Sequence, residues 1–340
     1  MSETLLEIRQ LTRTFGGGRR WLAPAHPGVH AVQQVDLDVQ RGDTLGIVGE
    51  SGCGKSTLAR MLVGLDTPSS GSIRYSGVDL QRLRRRDRHA LSRRIQYVFQ
   101  DPLSSLNPRK RVRDILAAPL RYLRGLEGQA LERRLGELME VVNLRPEFIT
   151  RYPHEFSGGQ AQRIGIARAL AAEPEVLVLD EPVSALDVSV QAQVLQLLRR
   201  LKREFDLTYL FISHDLSVVE TISDRIAVMY FGRIIEQATA RQLFQYPAHP
   251  YTRLLLGSAP VPGGPPIQAE AGDAELPDPL APPPGCAFAP RCPRARDECR
   301  GELPTLDKLP GRADHHAACL YPAEGSWRRF STTNTQEGAG

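Results

Sequence analysis

The sequence has 340 residues, with 43 Lys and Arg against 39 Asp and Glu, a formal net charge of +4, so no global field draws it to nucleic acid. With 41% hydrophobic and 24% charged residues it holds enough apolar side chains for a sizeable core, roughly two domains at ~150 residues each, which excludes a wholly disordered chain. No run approaches the ~18 consecutive apolar residues of a spanning helix, and Met1–Glu7 lacks the basic-then-apolar order of an export signal, so a cytosolic protein, or one held at a membrane through partners, is expected.

In chain order, residues 16–30 are rich in Gly and Pro and read as a loop. The runs Thr44–Val48, Ile95–Phe99, Val176–Leu179, Tyr209–Ile212 and Arg225–Tyr230 are apolar without alternation, the pattern of strands covered on both faces in a largely parallel sheet. Between the second and third, Leu131, Leu135, Leu138, Met139 and Val142 fall on one helical stripe, which reads as core. Arg82, Arg84, Arg85, Arg86, Arg88, Arg93 and Arg94 form a basic cluster. It has no interleaved aromatics, so a solvated helix face is favoured over a nucleic-acid or anionic-lipid surface. From Ser258 to Gly285 nine Pro and four Gly occur in 28 residues, a linker composition. The expected organisation is an α/β unit over 1–255, a linker over 256–285, a Cys-rich segment over 286–322 and a disordered tail over 323–340.

The strongest motif is Gly49-Glu50-Ser51-Gly52-Cys53-Gly54-Lys55-Ser56-Thr57, between a predicted strand and a predicted helix. Glycines let successive N–H groups and the helix N-terminus face phosphate oxygens. Lys55 adds a point charge near the β/γ-phosphates and the Ser56 hydroxyl is a Mg²⁺ ligand candidate. Glycines at 49, 52 and 54 do not fit the dinucleotide fingerprint, which disfavours hydride transfer. Asp180 and Glu181 emerge at the end of an apolar run, where open α/β sheets place ligands. Asp180 suits the Mg²⁺ shell and Glu181 suits a general base. Cys53 reads as a small loop filler, since the only nearby cation is the phosphate-binding Lys55.

These residues resemble the ATP-binding-cassette (ABC) ATPases, and Phe156-Ser157-Gly158-Gly159-Gln160 matches that family's signature motif with Phe for the commoner Leu. The resemblance implies a P-loop cassette with a RecA-like core, an antiparallel β subdomain and a helical signature subdomain. It also implies that Ser157, Gly158, Gly159 and Gln160 act on ATP bound by a partner subunit. It further casts Gln100 as the Q-loop glutamine, His214 as the switch histidine, Asp187 as a D-loop residue and Phe15 as the adenine-stacking aromatic. The stretches Gln100–Arg109, Glu181–Val190 and His249–Arg253 are most similar to bacterial dipeptide/oligopeptide importer ATPases, and Ser105–Arg109, Pro182-Val183-Ser184 and the loop before Val29 resemble the second or "F" subunit. That implies a second ATPase, two permease subunits, an extracytoplasmic binding protein and a place on the cytoplasmic face of the inner membrane. Nickel chelates, haem or glutathione remain open as cargo. A soluble ABC ATPase acting on DNA or ribosomes is the alternative class; only 124 residues separate Lys55 from Asp180, without sustained heptads.

Cys286, Cys292, Cys299 and Cys319 crowd into 34 residues. In a chain without a secretory signal, that reads as metal ligation rather than disulfides. The spacing lacks the paired knuckles of most zinc sites, which puts a [4Fe–4S] cluster ahead of zinc with both open. His315 or His316 is an alternative to Cys319 as a ligand. The resemblance raises iron–sulfur further, because the importer ATPases carry such a cysteine pattern.

Overall fold

The computed structural model describes residues 3–16, 28–87, 89–258 and 277–326. Arg88, residues 17–27 of the expected loop, residues 259–276 of the expected linker and most of the expected tail, 327–340, lie outside them.

Twelve strands are described: β1 (Thr4–Gly16), β2 (Gly28–Gln40), β3 (Thr44–Val48), β4 (Ser70–Tyr75), β5 (Val78–Asp79), β6 (Ile95–Val98), β7 (Val176–Asp180), β8 (Thr208–Ser213), β9 (Arg225–Tyr230), β10 (Arg233–Thr239), β11 (Asp307–Lys308) and β12 (His316–Ala317). They form a four-stranded antiparallel sheet, β2-β1-β4-β5, and an eight-stranded sheet, β11-β12-β10-β9-β3-β8-β7-β6. In the larger sheet the block β9-β3-β8-β7-β6 is parallel and β10, β12 and β11 run antiparallel at one side.

The unalternated runs have a direct cause. Every residue of β3, β7 and β8 is buried, and successive side chains feed different cores. Leu177, Leu179, Tyr209 and Phe211 join the core under the helices. Val176, Val178, Leu210 and Ile212 join the core shared with Leu6, Ile8, Leu11, Val35 and Leu37 of the antiparallel sheet. The predicted stripe becomes the helix Gly128–Val141, which buries Leu131, Leu135, Leu138 and Met139. It packs with the helices Val112–Arg124 and Gly158–Leu170, and Gly125 in the left-handed region (φ 66°) closes the first of these.

The expected loop over 16–30 is corrected at its end: Gly28, Val29 and His30 are strand, part of β2 at the sheet edge. A Cβ at Gly28 would stand 2.6 Å from Thr14 Cγ2 and 3.1 Å from the Phe15 carbonyl oxygen, so a larger residue there would have to displace the Thr14 side chain. The arginine cluster is dispersed in its contacts: Arg84 donates to the Gly64 carbonyl (2.9 Å), Arg93 pairs with Asp87, and Arg94 pairs with Glu175 (2.7 Å). Residues 286–322 lie against the α/β unit: β12 extends its sheet, and Phe288 is buried 5.4 Å from both Tyr230 and Tyr251.

Candidate active site

Strand β3 delivers the chain at Gly49 into a loop that only glycine can make at two points. A Cβ at Gly49 would lie 2.1 Å from the Met229 carbonyl oxygen, and one at Gly54 would lie 2.1 Å from that of Ala31. Gly54 is left-handed (φ 107°) and precedes the helix Lys55–Leu62, whose first turn has no side-chain cap. Its N-terminal N–H groups therefore face the loop's concavity, an anion-binding arrangement. Lys55 is 5% exposed, and its Nζ donates to the carbonyls of Gly49 (2.7 Å) and Glu50 (2.9 Å). Burial raises the Cys53 thiol's pKa, and the Lys55 Nζ lies 3.8 Å from its sulfur.

Asp180, the last residue of β7, accepts from Ser56 Oγ at 3.1 Å and from the Tyr97 hydroxyl at 2.5 Å. Burial pushes its carboxyl above the ordinary range, against the pull of those two hydrogen bonds. Glu181 follows in the left-handed region (φ 46°), a conformation costly for a non-glycine residue, and its N–H bonds the Ile212 carbonyl at 2.9 Å. That turn aims its carboxylate at Gln100 and His214: Gln100 Nε2 donates to Oε2 (2.9 Å) and His214 Nδ1 lies 3.2 Å from Oε1. Lys55, Ser56, Thr57, Gln100, Glu181 and His214 all line one open cavity, with Ser51, Gly52 and Gly54 at its base.

Val29, His30 and Ala31 form part of the wall. Phe15 is not among the lining residues; it pairs with Val29 in register, is 37% exposed, and has the Arg13 guanidinium 4.4 Å from its ring centre. Ser157, Gly158, Gly159 and Gln160 also lie away from the cavity. They open the helix Gly158–Leu170 with a reciprocal cap, Gln160 N–H to Ser157 Oγ and Ser157 N–H to Gln160 Oε1. Asp187 occupies the N-cap position of the helix Val188–Glu204, next to a Val188 that is 83% exposed.

Cys286, Cys292, Cys299 and Cys319 wall a second, small cavity together with His249. Burial and the three neighbouring thiols push Cys319 up to about 12. His249 is buried, its pKa lowered to about 4 by desolvation against the opposing charge of Glu236, and its Nε2 has no hydrogen-bond partner. Among the described residues no three His, Cys, Asp or Glu side chains stand in a ligating arrangement. His315 and His316 are not in this cavity's lining: His315 Nε2 lies 2.7 Å from the buried Glu236 Oε1, and His316 pairs in β12.

Three functional neighbours escaped the sequence reading. Tyr97 holds Asp180; Tyr251 accepts from the Glu50 N–H at 2.8 Å; Arg291 grips the Glu50 carboxylate. Each is joined to its partner only by the fold, and only Tyr251, inside the singled-out stretch His249–Arg253, carried any signal.

Residues 32–184 match the ABC transporter family, and residues 235–299 match the oligopeptide/dipeptide transporter C-terminal region. A probable peptide ABC transporter ATP-binding protein of Sinorhizobium fredii is 49% identical over 92% of this chain and 89% of its own length. The di/tripeptide transport ATP-binding protein DppF of Pseudomonas aeruginosa is 47% identical over 93% and 98%. The chain belongs to the ATP-binding subunits of oligopeptide/dipeptide ABC transporters. Among solved structures, cbiO1 of Clostridium perfringens, part of the transporter complex cbiONQ, superposes on 71% of this ABC subunit and 91% of its own length (TM-score 0.62, 27% identity). The cassette MJ0796, in a dimeric post-hydrolysis state with ADP and Pi, covers 70% and 99% (TM-score 0.60, 28% identity). In the ABC subunit described here, the C-terminal match takes in Cys286, Cys292 and Cys299.

Proposed function

We propose that this subunit hydrolyses ATP in the Lys55 cavity to power import of dipeptides or oligopeptides. The observation that carries the reading is the convergence of Lys55, Ser56, Gln100, Glu181 and His214, from four separate stretches of chain, on one cavity, with Asp180 bonded to Ser56 behind them.

Lys55 exchanges its two carbonyl partners for the β- and γ-phosphate oxygens, and the N–H groups of the loop and helix start receive the remaining phosphate charge. Glu181 takes the proton of the attacking water, held in line by Gln100 and His214 on its two oxygens. Ser56, Gln100 and Asp180 form an oxygen donor set that suits Mg²⁺, with Ser56 Oγ and Asp180 Oδ1 already 3.1 Å apart. When bound there, the ion neutralises charge on the phosphates. Phe15 stacks on adenine from the rim. The signature residues Ser157–Gln160, outside the cavity, contact the ATP of a second, different ATPase subunit, with Asp187 at the shared interface.

In this reading the assembly also contains two permease subunits and an extracytoplasmic binding protein, and the subunit sits on the cytoplasmic face of the inner membrane. None of the described helices is long and apolar enough to cross a membrane. We further assign residues 1–255 to the nucleotide-binding domain and 286–322 to a C-terminal segment stapled by a [4Fe–4S] cluster on Cys286, Cys292, Cys299 and Cys319. What supports the cluster is that the four thiols line one cavity, from which they would have to draw together to ligate, since among the described residues no three of them stand in a ligating arrangement. A cluster held by these cysteines would cross-link the loops that carry them, and iron and sulfide assays on anaerobically purified protein test it against zinc.

Glu181→Gln tests the central reading. Phosphate release should fall ~100-fold or more, the scale of a lost general base, while nucleotide binding persists. Hydrolysis at the parent rate would overturn the assignment.

A further inference from the structure

The phosphate loop carries a carboxylate at Glu50, where a negative charge opposes the ligand. Its backbone is fully engaged: the carbonyl accepts from Lys55 Nζ (2.9 Å) and the N–H donates to the Tyr251 hydroxyl (2.8 Å). Its side chain receives both terminal nitrogens of Arg291, Nη1 to Oε2 and Nη2 to Oε1, each at 2.9 Å. This fork-to-fork pair is the strongest geometry an ion pair takes. Arg291 is only 15% exposed and Glu50 29%, so water screens the pair weakly. Arg291 arrives from 241 positions away, in the short turn between Cys286 and Cys292, with its guanidinium carbon 5.8 Å from the Phe288 ring centre.

We infer that Arg291 is a positioning residue for ATP binding: it cancels the Glu50 charge and, with Tyr251 on the Glu50 N–H, fixes the course of the loop at that residue, so that the loop presents a net attractive field to the phosphates. The inference rests on the nucleotide reading above. Arg291 itself does not line the nucleotide cavity. Its effect passes through Glu50, so removing Arg291 leaves an uncompensated carboxylate within the loop, and removing the Glu50 charge as well cures the defect.

The test is titration of the full-length chain with mant-ATP and Mg²⁺ at low and high salt, with thermal melts recorded in parallel. Arg291→Ala is expected to weaken binding on the order of tenfold, more at low salt than at high, as uncompensated charge in a partly screened site requires. Arg291→Lys, which keeps the charge but loses the two-pronged bond to Glu50, should bind between the parent and Arg291→Ala. The double variant Arg291→Ala/Glu50→Gln should regain parental affinity. Arg291→Gln, which keeps length and hydrogen bonding, carries the same comparison if the alanine variant does not fold. A double variant as weak as Arg291→Ala would reduce Arg291 to a docking staple and overturn the inference, as would parental affinity in the single variant. A parent chain that fails to bind mant-ATP would overturn the nucleotide reading itself, and this inference with it.

Discussion

Gly54 is held between two demands, a left-handed φ of 107° and a neighbouring Ala31 carbonyl oxygen that leaves no space for a Cβ. Gly54→Ala should therefore cost about 2 kcal/mol or more of stability and abolish nucleotide binding, read by melting and by mant-ATP titration. The left-handed φ is a local constraint, which is why the loop, Lys55 and Ser56 were legible from spacing alone, whereas the Ala31 carbonyl is brought against Gly54 by the fold. Glu181 and His214 were legible as residue types in order, but not the left-handed turn that points one at the other. Tyr97 was not legible at all: its hydroxyl meets Asp180 across 83 positions, and nothing in the run Ile95–Phe99 distinguishes it from a core aromatic.

At the level of elements, the parallel strands are tied together below the site by Glu175. Its carboxylate pairs with Arg41 (2.7 Å) and Arg94 (2.7 Å), its N–H bonds the Arg94 carbonyl, and its carbonyl accepts from Thr208 N–H. Burial alone would raise its pKa, but hydrogen bonds from Tyr75 and Arg41 and the charges of both arginines bring it below the ordinary 4.5. A depressed carboxylate contributes stability that is fully present above that ordinary value and is lost as pH falls through the folded one. The site is well hydrated, so Glu175→Gln should be less stable at pH 7 by about 1 kcal/mol or less. The gap should close below pH 4.5 in melts recorded across the acid range; a constant gap would mean the carboxylate charge is not what ties the strands. The buried strands were legible because their runs lack alternation. The edge of β2 was not, because Gly28 is strand through its pairing with Gly16 on β1, and two glycines in a Gly- and Pro-rich stretch read as loop.

The whole molecule is built on two apolar cores, one on each face of the parallel sheet, and its last described segment closes the side of that sheet away from β6. The cysteine spacing drew attention to residues 286–322 but was silent on their docking, since Phe288, Arg291 and Ala317 find partners that lie 37 to 241 positions earlier in the chain. A chain ending after Ser258 would lack more than the cysteines. Strand β10 would lose its hydrogen bonds to β12 at Glu236 and Gln237 and the Ala318 N–H to Ile235 carbonyl bond of 2.8 Å. In the intact protein the sheet ends instead on β11, two exposed residues, Asp307 and Lys308. Short and charged, such a terminal strand is a poor template for a neighbour, whereas bare β10, with Ile234, Ile235 and Ala238, is a good one. The shortened chain should therefore self-associate through added strands, seen as concentration-dependent growth in light scattering where the full chain stays constant. The C-terminal segment would thus guard the fold against its own copies while, through Arg291, it also holds Glu50 of the phosphate loop.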